Sequence, residues 1–138
     1  MPRTTAALLA LSAVVLTGCG PTTDEVTSLV TTGATTYEDA LELREDIIAA
    51  GRQCPSTDQM VPAEDGISYL VCNKGMTAIA IAVAGSNEDI EELVDARNNT
   101  GPGSTPVLHG ANWMIAARDE APLRQLQDEL GGTITPVP

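Results

Sequence analysis

The chain has 138 residues, a formal net charge of −12, one histidine, three cysteines and no phenylalanine. Acidity on this scale repels nucleic acid and anionic headgroups beyond contact range, with salt screening it within about 10 Å at 0.1 M, and a nucleic-acid function is excluded. One histidine and no G-x-S-x-G elbow leave a Ser-His-Asp triad without its parts, and no catalytic residue is assigned.

The first element is a leader over residues 1–18. It carries Arg3 and then an apolar run over residues 6–16, shorter than the roughly 20 residues a permanent bilayer helix needs, and it predicts an export signal. The run closes on Leu16-Thr17-Gly18-Cys19. That order resembles the bacterial lipobox, in which a branched apolar residue, a small residue and Gly or Ala precede a cysteine. The resemblance implies that the Cys19 thiolate takes diacylglycerol from a phospholipid and that a dedicated peptidase cuts between Gly18 and Cys19. Two acyl chains, each worth about 0.8 kcal/mol per buried CH₂, then hold the new terminus stably on the outer face of the cytoplasmic membrane. Cleavage by the general signal peptidase after Gly20, leaving a freely secreted domain, is the alternative.

Lipidation of Cys19 leaves Cys54 and Cys72, and in an oxidising compartment these are expected to pair. A loop of roughly 17 residues gives a chain-entropy stabilisation of about 3 kcal/mol. Two buried free thiols are the competing reading. A zinc site from Cys54, Cys72 and His109 is weaker still, since structural zinc takes four ligands. No metal and no cofactor is expected: the acid-rich stretch over residues 38–46 lacks the D-x-[DN]-x-[DN]-G order of a calcium loop.

Residues 19–35, rich in threonine and glycine, read as a tether with an r.m.s. span of about 20 to 25 Å. The folded domain is expected over 36–138. Thr36 with Asp39 is close to a capping box, and Tyr37, Ala40, Leu41, Ile47 and Ile48 recur on one helical face before Gly51 stops it. Residues 66–72 and 76–83 read as two strands joined at Asn73-Lys74-Gly75. In the second, Ile79, Ile81 and Val83 alternate with Ala78, Ala80 and Ala82, a small-residue face that admits a helix closely.

Ser86 with Asp89 opens a second helix carrying Ile90, Leu93 and Val94. A second hairpin over 105–109 and 112–117 turns at Gly110. A third helix runs from Asp119 with Leu123, Leu126 and Leu130 on its stripe, and Gly131-Gly132 separate it from a last strand at 133–137. The order α-β-β-α-β-β-α-β predicts an α+β domain of two layers, an antiparallel sheet with helices on one face.

Gly110, Asn112, Trp113 and Ile115 form a G-x-N-W-x-[IV] phrase. Together with the lipobox, the cysteine pair, the third helix and its Gly-Gly turn, it resembles small actinobacterial cell-envelope lipoproteins. The resemblance implies location and fold and no reaction. The function expected is therefore a noncatalytic binding or accessory module of the envelope, with an envelope protein or ligand as partner. A small hydrolase using paired carboxylates is the alternative. His109, Asn112 and Trp113 are the candidate binding surface, weighed against a structural role in the hairpin.

Overall fold

The computed structural model describes residues 35–62, 65–73 and 75–136. The leader, the lipobox Leu16-Thr17-Gly18-Cys19 and all of the expected tether except Thr35 lie outside the described residues. Helix α1 spans Ala40–Ala49, α2 Asn87–Asn98 and α3 Glu120–Leu130. Strands β1 (Ser68–Val71), β2 (Ile79–Val83), β3 (Val107–His109), β4 (Trp113–Ala117) and β5 (Thr133–Thr135) form one antiparallel sheet ordered β1-β2-β4-β3-β5. The α+β class and the order α-β-β-α-β-β-α-β are as the sequence predicts. Among the described residues no helix is long and apolar enough to cross a membrane.

The arrangement of helices on a single face is corrected. Alternation along the strands sends Ile79, Ile81, Val83, Trp113, Ile115 and Ala117 to one face, where α1 packs through Ala40, Leu43 and Ile47 and α3 through Leu123, Leu126 and Leu130. Ala82, Met114 and Ala116 point to the opposite face, and α2 covers them with Ile90 and Val94. The physical reason lies in β2 and β4, which are apolar on both faces: a sheet buried on one side alone would leave the Ala82 and Met114 face in water. α2 lies against β4 and β3, and Ala80 and Ala82 of β2 line a hollow beside it.

The start of α1 is also corrected. Asp39, not Thr36, is the N-cap, with its Oδ1 accepting from Leu41 N at 2.9 Å and Glu42 N at 3.0 Å. Ser68 Oγ on β1 accepts from Ala40 N at 2.8 Å, so the helix start is bonded to the sheet as well as to itself. Leu43 replaces Ile48 on the inward face; Ile48 is 39% exposed. At the other end Gly51, with φ at 85°, follows the C-cap Ala50 in the left-handed region that glycine favours.

Candidate functional site

Trp113 is fully buried, at 0% exposure. Its indole Nε1 donates to Thr35 O at 3.0 Å, and its ring meets Tyr37 edge to face with centroids 6.2 Å apart. Asn112, at the start of β4, accepts from Tyr37 N at 3.0 Å and donates through Nδ2 to Tyr37 O at 2.8 Å and Ala84 O at 2.9 Å. Only one amide orientation serves an N–H and two carbonyls at once, so the side chain is fixed as a latch. The pair therefore clamps the entering chain onto the sheet, and the indole offers no surface to a partner. His109 is half-buried on β3, its Nε2 within 3.2 Å of Thr135 Oγ1 on β5. Burial lowers its pKa below the usual 6.5, opposed by the charge of Glu91.

Gly132 explains the Gly-Gly turn after α3. Its φ is 90°, and a Cβ there would lie 2.6 Å from His109 O and 3.2 Å from Trp113 Cη2. The backbone passes directly over the indole, leaving no room for a side chain.

The acids of residues 38–46 serve local bonds. Asp39 caps α1, Asp46 accepts the Tyr37 hydroxyl at 2.8 Å, and Glu45 pairs with Arg44. Burial, the bond to Asp46 and the charges of Asp46 and Glu42 together raise the Tyr37 pKa well above the ordinary phenol value. Among the described residues no three of His, Cys, Asp and Glu gather as metal ligands.

Cys54 and Cys72 form a disulfide across 18 positions, and both are buried. It ties the segment after α1 to the end of β1. Arg44 reinforces the tie: its Nε donates to Cys54 O and Ser56 O, each at 2.8 Å. From there the chain reaches Met60, which exchanges two 2.8 Å backbone hydrogen bonds with Tyr69 on the outer edge of β1.

That pairing stops after one residue. Gln59 N donates to Thr57 O at 3.0 Å and Asp58 N to Ser56 Oγ at 3.3 Å, turning the chain out of strand register. A groove of about 580 Å³ opens beside Val71, walled by Pro55, Ser56, Asp58 and Met60 and floored by Cys72. A second hollow of about 230 Å³ lies on the α2 side of the same edge, between Met60, Tyr69, Val71, Leu93 and Arg97. The large apolar side chains exposed among the described residues are Ile48, Met60, Val61 and Val71. Ile48 and Pro55 line a further hollow beside Cys54, so Ile48, Met60 and Val71 lie in the hollows around the disulfide.

The sequence reading missed this groove because its apolar residues come from a stretch without periodicity. The cysteine pair was the one signal pointing there, since it predicts which loop lies against β1. No known family, characterised protein or solved structure matches the chain.

Proposed function

We propose that the chain is a membrane-anchored extracytoplasmic lipoprotein, fastened through a diacylglyceryl Cys19, whose domain is a noncatalytic binding or accessory module of the cell envelope. The observation that carries the binding reading is a disulfide-clamped groove lined by the exposed Met60 and Val71, with exposed Ile48 in the next hollow beside Cys54, in a chain of net charge −12. Exposed apolar side chains collected in one place mark a contact surface, whereas scattered ones carry no such meaning. The Leu16-Thr17-Gly18-Cys19 order supports the anchor, and the buried Cys54–Cys72 bond fits a chain matured outside the reducing cytoplasm. The hydrolase alternative needs two carboxylates free to face each other across a cleft, whereas Asp39 and Asp46 are engaged in structural bonds.

Site-specific photocrosslinking in intact cells tests the reading. A benzophenone at position 61 is expected to trap an envelope component that one at Glu129, on α3, does not trap, with the adduct in the membrane fraction. Identical adducts from both positions would remove the binding reading, and recovery of the chain in the growth medium would remove the anchor.

A further inference from the structure

We infer that the outer edge of β1 at Val71 is a strand-addition site, taking an extended segment of a partner polypeptide with adjacent apolar residues flanked by lysine or arginine. This rests on the binding-module reading and names its contact and its partner chemistry.

The ladder geometry comes first. Cys72 N donates to Ile79 O at 2.8 Å, making that pair a hydrogen-bonded one, so the neighbouring Val71–Ala80 pair is not. The N–H and C=O of Val71 therefore point away from β2, as those of Tyr69 do. Tyr69 finds Met60; among the described residues no backbone hydrogen bond reaches the outward groups of Val71. A donor and an acceptor on an open strand edge are satisfied together by another extended backbone.

The side chains of such a segment would alternate across the sheet plane. The residue opposite Val71 falls on the α2 side, into the hollow of Tyr69, Val71 and Leu93; its neighbours fall on the other side, toward Pro55 and the disulfide. Both hollows are mainly apolar, which selects apolar residues at consecutive positions. Charge then decides the flanks. Among the described residues Asp58 is the one charged side chain lining the groove, Arg97 lines the far side of the second hollow, and the whole chain carries −12. A basic flank is attracted there, and a second copy of the chain, equally acidic, is repelled. Area points the same way. Met60 and Val71 are the exposed large apolar side chains of both hollows, a patch well below the roughly 800 Å² that each partner contributes to a stable interface between globular proteins, but of a size to seat a short segment.

The test measures anisotropy of a fluorescein-labelled eight-residue peptide, alternating valine pairs with threonine and ending in lysines, against the mature chain in phosphatidylcholine nanodiscs, with empty nanodiscs as control. Saturable binding is expected. N-methylation of alternate peptide nitrogens should weaken it about tenfold in one register and leave it unchanged in the other, because only one set of amides faces β1. Val71→Pro, which removes the outward N–H while leaving the β2 ladder, should weaken it about tenfold as well. Replacing the terminal lysines with glutamates should weaken binding, and Asp58→Asn should narrow the gap between the two peptides. Equal binding of both methylated registers and the parent peptide would overturn the inference. So would concentration-dependent dimerisation that excludes the peptide, which assigns the edge to a second copy. Tighter binding after deletion of residues 20–34 would assign it to the chain's own tether, again overturning it. Loss of peptide binding while position 61 still crosslinks in the membrane fraction would sink the strand-addition site and spare the binding module.

Discussion

Replacing Asn112 tests how the first ordered residues are held on the sheet. Asn112→Ala deletes bonds from Tyr37 N and to Tyr37 O and Ala84 O. At about 1 kcal/mol net for each bond, the loss is about 3 kcal/mol, lowered where water reaches the part-buried site and raised where the buried Tyr37 backbone stays unpartnered. In a domain of about 100 residues that is a fall in Tm of roughly 12 to 24 °C. Asn112→Asp keeps the shape and reverses two contacts, setting a carboxylate oxygen against two carbonyls. Its folded pKa must then rise above the unfolded 3.9, so the folded state holds the proton in the window between the two values. Stability of this variant relative to wild type therefore falls as pH rises through that window and levels off above it. Urea unfolding by circular dichroism, with the disulfide intact, at pH 4 and pH 7.5 measures both. A loss under about 0.5 kcal/mol for Asn112→Ala, or no pH dependence for Asn112→Asp, would refute the latch.

The disulfide is expected to contribute about 3 kcal/mol, so Cys54→Ala with Cys72→Ala should lower the urea midpoint accordingly, and reduction of the wild type should lower it by the same route. Gly132→Ala should cost about 1 to 3 kcal/mol from the left-handed backbone alone and more from the 2.6 Å approach to His109 O, read by the same unfolding assay. His109, lowered by burial, is deprotonated more readily folded than unfolded, so the unfolded chain binds more protons between the folded value and 6.5. Stability should therefore decline as pH falls below 6.5 until the folded value is passed, and His109→Gln should flatten that part of a Tm-against-pH curve.

Element types and order were legible because each helix and strand announces itself locally. Ser86 caps α2 and Leu123, Leu126 and Leu130 line α3 as their spacing predicts. The layer count was not legible from order alone, since a connection between β2 and β3 can pass over either face. It was present in Trp113-Met114-Ile115-Ala116-Ala117, buried at every position, so that β4 needs a cover on each face. The cap of α1 moved because Asp39 lies within reach of two free amides, whereas Thr36 precedes the turn. Trp113 illustrates a different limit. It follows the turn residues Gly110 and Asn112, and its burial depends on Thr35 and Tyr37, more than 70 positions away. The groove at Val71 is likewise tertiary: it exists where the loop from Cys54 leaves β1 after a single paired residue.

The most direct measurement on the account as a whole is the intact mass and amino-terminal peptide of the protein isolated from membranes of its own cells. The account predicts a chain beginning at Cys19 with a thioether-linked diacylglyceryl group and with Cys54 and Cys72 oxidised to each other. An unacylated terminus, or a chain that keeps residues 1–18, would contradict it.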